Sequence, residues 1–145
     1  MLQGLLQLDR YLGFDLVSAA CGLAGLYLLG SKNRYGFLLS SDRTAGSRWA
    51  MFDHQTRSAQ FFGLGPDVGL AEMCFVPRKR GAPEGDGYLI GVASHYKENG
   101  RSDLVLVDTK HLDAGPIASV KMPYRVPGQI HGFWVAGEDL PEQKA

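Results

Sequence analysis

Net charge is absent from this sequence. Its 145 residues carry 15 Lys plus Arg against 15 Asp plus Glu. Without a field of either sign, nothing draws in nucleic acid or steers an acidic substrate. The only basic cluster, Arg78-Lys79-Arg80, lies between Pro77 and Gly81 and reads as a solvated loop. Cysteine is scarce as well. Cys21 and Cys74 are too far apart for a metal-binding pair, so both read as free, buried thiols in a reducing compartment. That points to the cytoplasm. Amphipathic helical periodicity of ordinary length is missing after residue 30.

The one long apolar stretch stands at the start. Leu16 to Gly30 (LVSAACGLAGLYLLG) carries no charge, and going back to Tyr11 adds only Asp15. A spanning helix needs about 20 predominantly apolar residues, which this segment barely reaches. A secretory signal would want a basic start, yet Asp9 and Arg10 cancel. Three readings stay open for residues 1–31: buried structure or a misassigned start, a membrane-associated helix, and a secretory signal. A peripheral membrane contact therefore also stays open.

From Tyr35 onward the pattern is β. Compact apolar runs occupy Tyr35–Ser41, Trp49–Asp53, Ala59–Phe62, Glu72–Val76, Tyr88–Tyr96, Leu104–Asp108 and Ile117–Met122. Residues 54–58 and Gly85-Asp86-Gly87 read as turns between them, helped by 19 glycines and 7 prolines spread along the chain. A strand ending in Asp108, a polar loop and a second strand repeat the earlier unit of strand, Asp53, polar loop and strand. A repeat of about sixty residues resembles consecutive propeller blades more than a sandwich. Residues 32–137 hold enough chain for about two four-stranded blades, whereas closed propellers use roughly 4–8. Open strand edges and a tendency to associate, with a second copy or a complementing chain, would follow. Residues 138–145 read as a polar tail.

Near the C-terminus, Pro123-Tyr124-Arg125-Val126-Pro127-Gly128-Gln129-Ile130-His131-Gly132 places one histidine on a constrained backbone. Each proline biases its predecessor, Met122 or Val126, toward extended geometry. Neutral imidazole on such a segment is a candidate metal ligand, with a buried, hydrogen-bonded strand-end histidine as the plain alternative. His54, His95 and His111 sit in or beside turns and read as non-ligands. By itself Glu72 reads as a surface or edge-strand carboxylate, Asp86 as a turn residue, and Asp108 as a strand end bonding its own loop. Phe133 and Trp134 read as core or interface aromatics.

Four strings then stand in register. Ala71-Glu72-Met73-Cys74-Phe75-Val76-Pro77-Arg78 is followed by Glu84-Gly85-Asp86-Gly87-Tyr88-Leu89. Arg101-Ser102-Asp103-Leu104-Val105-Leu106-Val107-Asp108 comes next, and Pro123 to Pro127 leads to His131-Gly132-Phe133-Trp134-Val135. In this order they resemble the C-terminal end of the carotenoid cleavage oxygenases, which include lignostilbene dioxygenases and the retinal pigment epithelium isomerase. The resemblance implies a seven-bladed β-propeller with Fe(II) on its axis, held by four histidines. With O2, that iron cleaves a conjugated C=C bond of a carotenoid, apocarotenoid or stilbene-type substrate. Imidazole suits Fe(II), and O2 needs an open coordination position. By position, His131 matches the last iron ligand and Glu72 a carboxylate that accepts the ring N–H of an iron-bound histidine.

The departures matter equally. Met73 stands where relatives usually carry proline, and the three remaining ligand histidines have no counterpart here. The expectation is a C-terminal piece of such a dioxygenase, inactive alone. The rival reading is a non-catalytic β module that acts through strand-edge association with a partner, with membrane attachment left open.

Overall fold

Among the described residues, alternating apolar residues with turn glycines give seven β-strands, and these build two antiparallel sheets. The structure, a computed structural model, describes residues 33–42, 44–128 and 132–141. The apolar N-terminal segment, Cys21 and His131 lie outside the described residues. The first sheet contains β1 (Tyr35–Asp42), β2 (Gly46–Asp53) and β3 (Ser58–Gly63) in that order. The second contains β4 (Val68–Pro77), β5 (Gly87–His95), β6 (Arg101–Asp108) and β7 (Pro116–Lys121), again in chain order. Short 3₁₀ turns fill the connections. The architecture is all-β, two packed meanders that form part of a propeller.

The internal repeat is visible in the pairing. Asp53 ends β2 opposite Tyr35 of β1, and Asp108 ends β6 opposite Tyr88 of β5. Thus β1, β2 and β3 correspond to β5, β6 and β7. The expectation of two four-stranded blades is met by the second sheet, while the first shows three strands among the described residues. Several strands are longer than the apolar runs suggest. β2 starts at Gly46 rather than Trp49, and β4 at Val68 rather than Glu72. The added residues, Gly46-Ser47-Arg48 and Val68-Gly69-Leu70-Ala71, include polar or small side chains that weaken the hydrophobic signal without weakening the ladder.

The two sheets share one core. Phe37, Trp49, Met51 and Phe62 from the first pack against Val68, Leu70, Met73, Leu89, Ala93, Val105 and Val107 from the second. Trp49 is the centre of this contact and is fully buried. Its ring fills the space that Gly91 of β5 leaves open. A Cβ at residue 91 would stand 2.6 Å from Trp49 Cζ2 and 2.9 Å from the Glu72 carbonyl oxygen. Both are closer than real Cβ contacts allow, so glycine is required here to let the sheets meet. Phe62 stacks obliquely on the same indole, ring centres 5.4 Å apart.

Sequence spacing along β4 is irregular. Val68 and Leu70 enter the core, then Met73 and Phe75. The strand therefore changes phase between residues 70 and 73. A β-bulge makes the change: Leu70 pairs with Ala93 and Met73 with Gly91, so Ala71 and Glu72 together oppose Val92. Without it, a period of two would turn Glu72 toward the core.

Replacing Trp49 with Ala removes the side chain that joins the sheets. Chemical denaturation of Trp49→Ala is expected to show a loss of about 3–5 kcal/mol, as for other large-to-small core changes. A loss under about 1 kcal/mol, within the range of ordinary surface substitutions, would show that the sheets do not depend on this contact.

Candidate functional site

Glu72 sits on β4, an edge strand of its sheet, which fits the edge-strand reading but not the surface one, because the carboxylate is buried. Being in the bulge, it shares a face with Cys74 rather than with Met73. Both of its carboxylate oxygens are shielded from solvent. A carboxylate costs free energy to bury, so its retention there calls for a polar or cationic counterpart. The bulge itself is tied to the neighbouring sheet. Trp49 Nε1–H donates to the Ala71 carbonyl at 2.8 Å. Ser47 Oγ, two residues earlier on β2, accepts from the Leu70 N–H and donates to the Val68 carbonyl.

Cys74 carries a free thiol, but it is half-buried rather than buried as expected. Desolvation pushes its pKa up, and the nearby Glu72 charge adds to that; the Trp134 backbone N–H, facing the sulfur, pulls the other way. Trp134 thus lies near Cys74, two residues along β4 from Glu72. Upstream, the Val126 N–H donates to Ser102 Oγ at 2.9 Å and the Met122 N–H to the Ser102 carbonyl at 2.9 Å. Val126 is thus tied to Ser102, and Trp134 lies near Cys74. Phe133 and Trp134 are 69% and 50% exposed, so neither is a core aromatic of the described residues. Their apolar rings have no covering element there.

A second polar constellation lies at the other end of the strands. Arg78, expected in a solvated loop, is instead an anchor. Its guanidinium bonds Asp86 Oδ1 at 2.7 Å, the Tyr88 hydroxyl at 2.7 Å and Asp108 Oδ1 at 2.6 Å. It also lies over the Tyr88 ring, 4.6 Å from the centroid. Three of the four sequence strings thus meet at one side chain. The first sheet repeats the device with Arg34, which bonds Asp53 at 2.8 Å and covers Tyr35 at 4.8 Å. Asp86, a turn residue by sequence, also takes Lys110 at 3.1 Å. Asp108 does bond its own loop, accepting from the Lys110 N–H at 2.9 Å. Glu84 Oε1 accepts the Arg34 and Tyr35 N–H groups and links the two sheets.

The remaining histidines have local partners. His95 Nε2 lies 3.1 Å from Asp103 Oδ2, and His54 meets the Phe52 ring edge-on. His111 precedes the 3₁₀ turn Leu112–Ala114. Among the described residues, no three His, Cys, Asp or Glu side chains converge as a metal site. They also contain no helix long and apolar enough to cross a membrane. What the strands do build is a support, a shielded carboxylate on a bulged edge with Trp134 near the neighbouring Cys74. Sequence reasoning did not single out Trp49 or Ser47 as parts of that support. Their bonds run to backbone atoms more than 20 residues away, which leave no local pattern.

This arrangement can be compared with known proteins. The model of the retinal pigment epithelial membrane protein family matches residues 27–136. The chain belongs to the carotenoid cleavage oxygenase family. Over 84 residues it is 43% identical to isoeugenol monooxygenase of Pseudomonas putida, covering 58% of this chain and 17% of that protein. Over 85 residues it is 42% identical to the carotenoid 9,10(9',10')-cleavage dioxygenase of Crocus sativus, covering 57% of this chain and 15% of that one. The crystal structure of Pseudomonas brassicacearum lignostilbene dioxygenase superposes with a TM-score of 0.69 at 27% identity, covering 74% of this chain and 25% of that chain. This carotenoid cleavage oxygenase chain therefore spans about a quarter or less of the relatives it matches.

The paired aspartates give the family member a defined acid response. Arg34 holds the Asp53 carboxyl below its usual range, and Arg78 does the same to Asp108 and Asp86. Groups with depressed folded-state pKa contribute stability that is fully present above the unfolded value, about 3.9, and lost as pH falls through the folded value. Urea midpoints are therefore expected to hold from pH 7 to about pH 5 and fall below about pH 4. Asp108→Asn should lower the plateau and flatten the acid limb. An acid limb as steep as in the unsubstituted chain would remove Asp108 from this role.

Proposed function

We propose that this chain contributes the closing blades and the last iron ligand to a non-haem Fe(II) oxygenase. Its class of reaction is oxidative cleavage of a conjugated C=C bond. His131 is the ligand supplied by this chain, and Glu72 accepts the ring N–H of an iron-bound histidine. The observation that supports the reading is the Glu72 carboxylate, both oxygens shielded from solvent, with Trp134 near Cys74 two residues along β4. In the sequence His131 stands three residues before Trp134, which lies near Cys74.

The donor chemistry suits the assignment. Fe(II) takes imidazole nitrogen, and a ligating histidine needs a partner for its second ring nitrogen. A shielded carboxylate fixes the tautomer and raises the basicity of the ligating nitrogen. Iron, when bound, supplies O2 chemistry at the double bond. The work left to this chain is to hold one imidazole, keep water from Glu72, and present the blade edge to the rest of the propeller. The three other histidines must come from blades outside this sequence, so the 145-residue chain alone is expected to be inactive.

The relatives act, by their names, on isoeugenol, lignostilbene and carotenoids, and these three are the substrates to test. Iron content and cleavage are measured on the chain alone and on the chain joined to the upstream blades of a relative. The joined protein should bind about one iron per molecule and cleave at least one of the three substrates. His131→Ala should abolish both. Glu72→Gln should weaken iron binding about 10–100-fold, the usual cost of losing such a partner. Full iron occupancy with turnover in the chain alone, or an unaffected His131→Ala, would sink the assignment.

A further inference from the structure

We propose that Trp49 is a positioning residue for Glu72, acting across the sheet interface through the β4 bulge. The inference rests on the reading of Glu72 as the carboxylate partner of an iron-bound histidine, but its geometry stands apart from any metal. A bulge is an interruption of the ladder, and the residues within it are set by whatever bonds remain. Here Ala71 and Glu72 share one opposing residue, Val92. The Ala71 carbonyl takes the Trp49 indole N–H at 2.8 Å.

Three facts make that bond directive. Trp49 is fully buried, so its N–H has no water to turn to. Its ring is wedged into the gap over Gly91, and the carbonyl of Glu72 borders the same gap. The indole is thus held against both residues of the bulge. Finally, the bulge decides which way Glu72 faces. With Leu70 in the core, a regular strand would put Glu72 in the core too, and Cys74 after it. The extra residue restores Met73 and Phe75 to the core and leaves Glu72 on the face it shares with Cys74. Ser47 braces the strand just before, at Val68 and Leu70. A tryptophan selected only for packing would not require its nitrogen to meet the segment of β4 whose phase is shifted.

Trp49→Phe keeps an aromatic ring and removes the donor. Site-specific benzothienylalanine at residue 49 keeps the bicyclic shape and replaces N–H with sulfur, so lost volume and lost bonding are separated even where Phe folds poorly. Amide hydrogen exchange on the full 145-residue chain reads the bulge. Exchange of Ala71, Glu72 and Met73 is expected to speed up about five- to tenfold, the scale of one net hydrogen bond. Val105 and Val107, in the centre of the second sheet, should stay protected.

Alkylation of Cys74 by iodoacetamide, mapped by mass, reads the position of the Glu72 charge. Trp49→Phe and Glu72→Gln should each speed it, and together they should do no more than the faster single change. Unchanged exchange at residues 71–73 in the benzothienyl variant would overturn the proposal. So would additive effects in the double variant, because Trp49 would then act independently of Glu72. These readouts use no metal. If they come out as expected while Glu72→Gln leaves iron binding untouched, Trp49 still sets Glu72, and the iron reading of Glu72 is the part that fails.

Discussion

The indole of Trp49 seated over Gly91 is the contact on which the rest depends. A sheet face is pleated, and two faces meet closely only where a large side chain finds a missing one. Here the large residue is the central tryptophan of β2 and the missing one is the glycine of β5. Once the ring is in place, Phe62 stacks on it from the first sheet, while Leu70 and Met73 complete the core from the second. The same ring spends its one polar atom on β4. A packing contact and an orienting hydrogen bond are thus combined in a single side chain, so the blade interface and the aim of Glu72 cannot vary independently.

The opposite end of the strands is held by charge rather than by packing. Arg34 and Arg78 each cover a tyrosine and bind an aspartate at the end of the facing strand. Pairing positions Tyr35–Asp53 and Tyr88–Asp108 are equivalent, so the arginine trio is the most direct trace of the blade repeat. Bidentate or forked contacts from guanidinium suit this task because the donor plane is fixed. The four strings that looked like separate motifs turn out to be one connected set. The first three converge on Arg78; of the fourth, Val126 bonds Ser102 of the third and Trp134 lies near Cys74 of the first.

Much of the fold was legible residue by residue. Compact apolar runs marked all seven strands, and Asp53 and Asp108 marked the repeat. Arg78 was misread because a run of basic residues between proline and glycine looks solvated until its acidic partners are located. Asp108 is thirty residues away, and only the β5–β6 hairpin brings it near. For Phe133 and Trp134 the core half of the reading fails for the converse reason, and the interface half stays open. Aromatic composition suggests burial, yet no described element covers them. Of the candidate site, Glu72 was found through its string of neighbours, but nothing local announced that its oxygens would be shielded.

By itself the sequence determined the all-β class, the strand positions, the repeat and the family resemblance, because these rest on short-range periodicity and ordered motifs. Tertiary structure decided which way Glu72 faces. That direction depends on one extra residue in β4, and the extra residue is recognisable only against the partner strand it fails to match. It decided too that Trp49, Ala71 and Gly91 form one unit. Hydrogen bonds to backbone carbonyls carry no side-chain signature at the acceptor, so such a link exists only once the sheets have packed.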